Sequence, residues 1–381
     1  MRFGTAFAAT LSLNALLAAA APAAPAATTT SSSAATTATA APTASASASY
    51  GAGAPAFAKV VKAKNTLNIL LVNDDSAFSA NIRATYYALL TAGHRVLLNA
   101  PYQNQSGKGG TVVLPTNLTT TAPSRDGTVA AGGPFADRNK TDGAIRWFDG
   151  TPAAALLWGL DQEAPGFFGS NDTNGGVDLV VSGPNEGQNL GPFIFTLSGT
   201  VGATYTAVER GVPAIAFSAS TTPRSYTTLD FNNTADESIQ LGTATANFVT
   251  RFVDAASTFP YGKSSPKLPE AIGMNVNYSP LNSNCTAAAY NWKQTRLTGG
   301  AVVDRLVVGS NGLPTYQNLV TSAVNKCVNG DCFLPGETTT VAAGTCAAAV
   351  SVFSTDYDAP LLATATLKPA LSKALFQLNH D

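Results

Sequence analysis

Short apolar runs alternate with amphipathic stretches through the middle of the chain. NILLV at 68–72 is a short apolar run after Asn68 and is bounded by polar residues, which is typical of a strand buried on both faces. IRATYYALLTAGH follows with apolar residues at helical spacing and a glycine stop at Gly93, and HRVLLNAP then predicts a second strand. A strand, a helix and a strand within about 35 residues predict a right-handed βαβ unit, and therefore a parallel sheet.

The same alternation returns further along the chain. GTPAAALLWGL predicts a helix with Thr151 as N-cap and Pro152 in the first turn. A strand at 177–183, a helix at 198–211 and a strand at 212–218 follow. The predicted fold class is therefore α/β, with a doubly wound, Rossmann-like, mostly parallel sheet. Between these elements, the polar, glycine-rich residues 115–146 predict a projecting hairpin or long loop.

The amino-terminal part differs from the rest. Arg2 precedes an apolar run and the small-residue stretch AAPAAPA, so residues 1–27 are predicted to be a signal peptide, with a signal anchor as the alternative. Residues 28–65 are predicted to be a disordered leader, because its Ala, Ser, Thr, Gly and Pro cannot bury enough apolar surface. The α/β core is predicted at 66–225, and 226–381 completes the fold as a less regular part that carries the disulfides.

Charge and cysteine content narrow the possible partners and compartment. Lys plus Arg number 22 against 23 Asp plus Glu, so no net field would attract a nucleic-acid polymer or a membrane after signal cleavage. Four cysteines suit two disulfides in an oxidising compartment, with three pairings open. These features and the glycosylation sequons predict a secreted, extracellular glycoprotein. The cysteines are Cys285, Cys327, Cys332 and Cys346, and the sequons start at Asn104, Asn117, Asn139, Asn171, Asn232, Asn277 and Asn284.

The loop after the first strand carries two adjacent acids, Asp74 and Asp75. In open parallel sheets the ligand lies beyond the carboxyl ends of the strands. Two neighbouring carboxylates repel each other unless a cation or a proton neutralises them. Hard oxygen ligands favour Mg²⁺ or Mn²⁺, so the pair indicates a divalent cation, with a solvated turn as the alternative.

Two later loops supply groups that suit an anion. PYQNQSGKGG contains the hydroxyl of Ser106 and the cation of Lys108. SGPNEGQNLG contains Asn185 and Asn189, and SGTVG follows at a helix start whose amides can hold an oxyanion.

Taken together, these motifs resemble one family. ILLVNDDS, NQSG, GTP, DLVVSGPNEGQNLG, SGTVGAT and GVPAIAFS occur in the order and spacing of the SurE nucleotidases, over residues 68 to about 220. The resemblance, to a secreted eukaryotic-type member, implies a phosphatase that hydrolyses nucleoside 5′- or 3′-monophosphates or related small phosphate esters. A homodimer is also expected.

The resemblance assigns roles residue by residue. The implied metal ligands are Asp74, Asp75, Ser106 and Asn185, and the implied catalytic residues are Asp74, Asp75 and Asn185, with Asp74 positioning or deprotonating the attacking water. The implied substrate-binding residues are Asn73, Ser106, Gly107, Asn189, Ser198, Gly199 and Thr200.

The chain departs from the family pattern near these residues. Ser76 stands where a glycine is usual and Pro184 alters the usual SGIN motif. Tyr102 and Gln103 stand where a basic residue is common. None of these departures removes an implied ligand.

Other classes of protein fit less well. A serine hydrolase would need a histidine base, and the chain has only His94, expected at the surface or in packing, and the penultimate His380, without a GxSxG elbow. A dinucleotide-binding dehydrogenase would need GxGxxG after the first strand. The alternative outside enzymes is an extracellular binding or cell-wall protein on the same scaffold.

Overall fold

The computed structural model describes residues 57, 59–256, 271–297, 303–320, 333–356, 368–369 and 372, without the side chains of 303–305 and 316–320. The predictions for the signal peptide, for Cys327 and Cys332 and for His380 concern residues outside these ranges, as does most of the predicted disordered leader. The last residues of that leader pack on the fold, which corrects its predicted boundary: Phe57 is buried, Val61 N–H donates to Asn247 Oδ1 at 2.7 Å, and Ala63 N–H donates to the Ala92 carbonyl at 2.8 Å. No helix in the described part of the chain combines the length and apolar character needed to cross a bilayer.

The elements follow the alternation of the sequence. The strands are β1 (Asn68–Val72), β2 (Arg95–Pro101), β3 (Ala136–Arg138), β4 (Ile145–Phe148), β5 (Leu179–Glu186), β6 (Ala214–Ala219), β7 (Ile272–Tyr278), β8 (Asn291–Thr295), β9 (Val303–Val308), β10 (Pro314–Val320) and β11 (Ala347–Ser354). The helices are α1 (Ala80–Ala92), α2 (Pro152–Trp158), α3 (Ala164–Phe168), α4 (Gly191–Leu197), α5 (Gly199–Glu209), α6 (Glu237–Ala256) and α7 (Glu337–Ala342), with a π-helical turn between α2 and α3.

Within the described residues, nine strands form one sheet in the order β3-β4-β2-β1-β5-β6-β7-β11-β8. In this sheet the strands from β4 to β7 pair in parallel, as do β11 and β8, whereas β3 with β4 and β7 with β11 are antiparallel. The strands β9 and β10 form a separate antiparallel pair. The doubly wound, mostly parallel prediction is confirmed. After β1 the chain moves to β2 on one side and later to β5 on the other. Since ligands bind where strand order reverses, the crevice between β1 and β5 is the expected site.

The β1 strand is buried on both faces, as its apolar run predicted. Ile69 and Leu71 join the apolar cluster under α1 and α6, while Leu70 and Val72 join the cluster under α2 and α5. Each such side chain contributes about 1.5–3 kcal/mol through burial. This burial fixes where β1 ends, and therefore where Asn73, Asp74 and Asp75 leave the sheet.

Two local predictions are refined. Thr151 occupies the N-cap position of α2, but its hydroxyl does not cap the helix: Oγ1 donates to the Thr111 carbonyl at 2.6 Å and accepts from Val113 N–H at 3.0 Å. Residues 115–146 are mostly irregular and end in the antiparallel β3–β4 hairpin. The structure also decides one cysteine pairing, a disulfide between Cys285 and Cys346 in the carboxyl-terminal part.

Candidate active site

The turn after β1 delivers two carboxylates to the switch point of the sheet. Asn73 Oδ1 accepts from Ser76 N–H at 3.2 Å, which closes the turn. Ser76 has a φ of 106°, a region that glycine adopts more easily. Its own hydroxyl accepts from Phe78 N–H at 3.1 Å, a contact that glycine could not make. Serine at this position therefore adds a hydrogen bond within the turn, at a φ that glycine adopts more easily.

Asp74 is held by the start of α5. Its Oδ1 accepts from the Thr200 hydroxyl at 2.6 Å, and its Oδ2 accepts from Gly199 N–H at 3.1 Å. A Cβ on Gly199 would lie 2.8 Å from Asp74 Cβ, so this close approach requires glycine. The positive end of the α5 dipole is thus directed at this carboxylate.

Asp75 is held by two other elements. Its Oδ2 accepts from Glu186 N–H at 2.7 Å at the end of β5. Its main-chain carbonyl accepts from Arg125 Nη1 at 2.6 Å, in the 115–146 segment. The other guanidinium nitrogen of Arg125 forms an ion pair with Glu186 at 2.5 Å. Arg125 thereby pairs directly with Glu186, and its charge lowers the pKa of Asp75 less than burial and the neighbouring carboxylates raise it.

Both aspartates are only 2% exposed, and their burial has an electrostatic consequence. Burial raises the pKa of Asp74, and hydrogen bonds from Thr200 and Gly199 partly oppose that rise. Burial raises the pKa of Asp75 well above its usual value, and the charges of Asp74 and Glu186 raise it further. Two buried carboxylates of this kind ionise together only when a cation joins them.

Asn185 belongs to the same hydrogen-bonded group. The Thr200 hydroxyl lies 3.2 Å from Asn185 Oδ1, while Asn185 Nδ2 donates to the Gly187 carbonyl at 2.9 Å. That arrangement leaves the amide oxygen on the side of Asp74. Thr200 therefore links a residue after β1 to a residue at the end of β5.

Ser106 approaches through its loop. Gln105 N–H donates to the Asp74 carbonyl at 2.8 Å, and Gly109 N–H donates to the Leu197 carbonyl at 2.9 Å, just before α5. These bonds place the loop across the switch point. Ser106 and Gly107 are exposed there, and the Ser106 amide donates to Asn104 Oδ1 at 2.9 Å.

Other residues implied in substrate binding already have partners inside the protein. Asn73 Nδ2 donates to Ser79 Oγ at 3.4 Å, and Asn189 Nδ2 donates to Ser218 Oγ at 2.8 Å. Ser198 Oγ accepts from Val201 N–H at 3.1 Å and caps α5. In this structure these three side chains shape the loops, and their roles as substrate ligands stay predictions.

Sequence reasoning missed Arg125, Glu186 and Glu337. Glu186 lies inside the SGPNEGQNLG motif, so its position one residue after Asn185 was a usable signal. Arg125 lies in an irregular segment and Glu337 lies beyond the motifs, so neither position had a local pattern. Glu337 is fully buried, and its Oε1 accepts from the N–H of Gly191, the first residue of α4, at 2.7 Å.

His94 has a packing role, which is one of the two alternatives predicted for it, at the surface or in packing. It is buried, its Nδ1 accepts from Leu67 N–H at 3.3 Å, and its Nε2 lies 3.1 Å from Thr250 Oγ1. Burial lowers its pKa to about 4. A neutral imidazole fixed in the core is not an available catalytic base.

The chemistry of the implied metal ligands shows whether they suit a divalent cation. Within the described ranges, no cluster of three or more His, Cys, Asp or Glu is arranged to hold a metal ion. The implied set has two carboxylates, one hydroxyl and one amide oxygen, which is an oxygen-rich set suited to a hard cation. The raised pKa of both aspartates fits a requirement for external positive charge.

The chain is thus a doubly wound α/β protein with an acidic pair at the switch point of its sheet. The family model described as Survival protein SurE matches residues 69–304. The chain therefore belongs to the SurE family.

Several known proteins are similar to this chain. An acid phosphatase of Yarrowia lipolytica is 44% identical over 303 residues, which cover 77% of this chain and 80% of that protein. Proteins named 5′-nucleotidase SurE are 32% identical in Methanococcoides burtonii and 34% identical in Synechocystis sp.. Those matches cover 40% and 45% of this chain and 49% and 52% of the relatives, about half the length of each.

A solved structure of the SurE protein from Aquifex aeolicus is also similar. It has a TM-score of 0.49 and 24% sequence identity, and the match covers 76% of this chain and 94% of that one.

Proposed function

We propose that this protein is a metal-dependent phosphomonoesterase that hydrolyses nucleoside 5′- or 3′-monophosphates or related small phosphate esters. One observation carries the proposal: Asp74, Thr200 and Asn185 form a single hydrogen-bonded group where β1 and β5 diverge. The similar proteins named acid phosphatase and 5′-nucleotidase support the same activity.

Asp74, Asp75, Ser106 and Asn185 are the residues that would hold a divalent cation, Mg²⁺ or Mn²⁺. Such a cation supplies Lewis-acid stabilisation of the phosphate charge and of the attacking water. The protein needs no nucleophilic side chain for this chemistry, in agreement with the scarcity of histidine.

The surrounding protein residues hold the two carboxylates in fixed orientations. Thr200 and Gly199 fix both oxygens of Asp74, so this carboxylate has one orientation in which to position the attacking water and accept its proton. Glu186 N–H holds one oxygen of Asp75, its Oδ2. Since Gly199 N–H and the Thr200 hydroxyl already serve Asp74, their contribution is to hold that carboxylate, and the exposed Ser106 and Gly107 are placed for the phosphate.

Export is part of the proposal. Residues 1–27 act as a signal peptide, residues 28–65 as a leader ahead of the 66–225 core, and the mature protein is an extracellular glycoprotein. The Cys285–Cys346 disulfide supports this compartment, because disulfides persist in oxidising surroundings. A homodimer stays a prediction.

Hydrolysis of p-nitrophenyl phosphate and AMP by the purified mature protein, with and without EDTA, tests the proposal. Activity should vanish with EDTA and return with Mg²⁺ or Mn²⁺, and Asp74→Ala should abolish it. Asp161→Ala is the matched control, since Asp161 forms an exposed ion pair with Arg210 at 2.8 Å. Turnover that survives both EDTA and Asp74→Ala would refute the metal mechanism. A folded protein inactive on every ester and cation would favour the alternative, a non-catalytic extracellular binding or cell-wall protein.

A further inference from the structure

One guanidinium group contacts both sides of the crevice in which Asp75 lies. Arg125 Nη1 donates to the Asp75 carbonyl at 2.6 Å, and its Nη2 pairs with the Glu186 carboxylate at 2.5 Å. Asp75 follows β1 and Glu186 ends β5, so Arg125 spans the point where these two strands diverge. Because a guanidinium is planar and its N–H donors have fixed directions, it holds two acceptors at a set separation.

The same two strand ends are also joined through the Asp75 side chain. Glu186 N–H donates to Asp75 Oδ2 at 2.7 Å, so the orientation of this carboxylate depends on where Glu186 lies. Arg125 holds the main-chain carbonyl of Asp75 and the side chain of Glu186, and these contacts close a ring with the first one. The orientation of the Asp75 carboxylate therefore depends on Arg125, which acts through its neighbours.

Arg125 belongs to residues 123–129, the arginine segment, which is docked on the residues that follow β2. Arg125 N–H donates to the Tyr102 carbonyl at 3.3 Å. Gln103 Nε2 donates to the Pro123 carbonyl. Tyr102 and Gln103 stand where a basic residue is common in the family pattern. In this chain those two positions receive a separate segment instead, and that segment brings a cation to the acidic turn.

The arginine segment is anchored on its other side by Asp126. Asp126 Oδ2 accepts from the Ser225 hydroxyl at 2.9 Å. Arg224, the residue before Ser225, donates its N–H to Glu186 Oε1 at 3.3 Å, so one carboxylate binds Arg125 and this neighbouring stretch together. Contacts on both sides hold the arginine segment in place, and Arg125 has a fixed base from which to reach Asp75 and Glu186.

We propose that Arg125 is a positioning residue that sets the separation between Asp75 and the end of β5, where Asn185 lies, an inference that rests on the proposed function. Docking of the arginine segment is then a condition of tight cation binding, since Asp75 and Asn185 are two of the residues that would hold the cation. Arg125 takes no part in the chemical step. Its role also gives a purpose to Tyr102 and Gln103, which depart from the family pattern.

The Arg125→Lys variant of the full mature protein tests this role, because lysine keeps the charge but its single ammonium cannot hold both acceptors in the same geometry. We expect Mn²⁺ affinity, measured by calorimetry without substrate, to fall by about 10–100-fold, the range for residues that orient metal ligands. The Mn²⁺ concentration for half-maximal hydrolysis of p-nitrophenyl phosphate should rise by a similar factor. KM for the ester at saturating Mn²⁺ should change little.

Arg146→Lys is the matched control for this substitution. Arg146 pairs with Glu163, and the two side chains are 14% and 20% exposed, so this pair is also sheltered from solvent. It joins β4 to the π-helical turn after α2, and the Arg146 Nε donates to the Gly143 carbonyl at 3.0 Å, both away from the acidic turn. Mn²⁺ affinity should therefore stay at the wild-type value in this variant.

A second variant, Gln103→Ala, leaves every proposed metal ligand and Arg125 in place and removes only a contact of the arginine segment. Mn²⁺ affinity should fall by about fivefold, as expected for the loss of one hydrogen bond that holds the segment. This variant decides the question if Arg125→Lys does not fold, which the urea transition of each protein shows. An unchanged affinity in Gln103→Ala would remove the docked segment from the inference.

Unchanged Mn²⁺ affinity in folded Arg125→Lys would overturn the positioning role, and so would equal losses in Arg125→Lys and Arg146→Lys. The proposed function is tested separately by hydrolysis. If the wild type bound Mn²⁺ but hydrolysed no ester, the proposed function would fail, while a loss of affinity confined to Arg125→Lys would still support the positioning role. A wild type that bound no Mn²⁺ would overturn both.

Discussion

The Thr200 hydroxyl lies 2.6 Å from Asp74 Oδ1 and 3.2 Å from Asn185 Oδ1, so one side chain at the start of α5 joins the ends of two neighbouring strands. Thr200 is fully buried, and its position follows from the Ser198 cap of α5. The orientation of Asp74 is therefore set by helix geometry as well as by the β1 strand.

Replacing Thr200 with valine removes this hydroxyl and keeps the side-chain shape. We expect kcat to fall by about 10–100-fold, because residues that orient metal-binding carboxylates contribute on this scale. Metal affinity measured by calorimetry should fall in parallel. Thr206→Val is the matched control on the same helix, since Thr206 Oγ1 donates only to the Gly202 carbonyl at 2.8 Å. Equal activities for the two variants would contradict the proposed role of Thr200.

The Arg125→Gln variant tests how much the ion pair between Arg125 and Glu186 contributes to stability. The Glu186 side chain is 2% exposed and that of Arg125 is 19% exposed, so the loss leaves a nearly buried carboxylate without its partner. We expect the free energy of unfolding to fall by about 2–4 kcal/mol, toward the range for a broken buried pair. Urea denaturation measures this. In the control Arg210→Gln, the exposed pair with Asp161 should cost about 0–1 kcal/mol. Similar losses of stability in the two variants would contradict the larger contribution expected of the buried Arg125–Glu186 pair.

Glu337 makes stability depend on pH. Burial raises its pKa from 4.5 to about 8, and its side-chain partners are the uncharged Gly191 N–H, Asn275 and Ser351. Between these pH values the folded protein keeps a proton that the unfolded chain releases, so this contribution to stability falls as pH rises. The slope is at most about 1.4 kcal/mol per pH unit.

Thermal unfolding of wild type and Glu337→Gln at pH 5, 7 and 9 isolates this effect, since other groups titrate in both proteins. The wild type should lose stability relative to the variant as pH rises. A constant difference across the three values would show that Glu337 does not titrate in this range.

The structure sorts the glycosylation sequons by access. Asn277 is fully buried, with Oδ1 accepting from Asn189 N–H at 2.8 Å, so we expect no glycan there. Asn232 is exposed and should be modified when the protein is secreted from a eukaryotic host. Asn104 should also stay unmodified, because it lies two residues from Ser106. Glycopeptide mass spectrometry checks all three positions, and substantial occupancy at Asn277 or Asn104 would contradict the arrangement described here.

The sequence alone determined which segments form the central strands. Short apolar runs within 68–72 and 177–183 predict strands buried on both faces, and parallel strands bring their carboxyl ends to one edge; the second strand runs on to Glu186, three residues past its predicted end. For this reason Asp74 and Asn185, 111 positions apart in the chain, could be placed near one another before any coordinates. Only the tertiary structure showed that Arg125 reaches the Asp75 carbonyl and Glu186, and that Glu337 holds Gly191. Arg125 and Glu337 come from segments without a periodic pattern. Their positions depend on how those segments pack over the sheet, and no local sequence pattern encodes that packing.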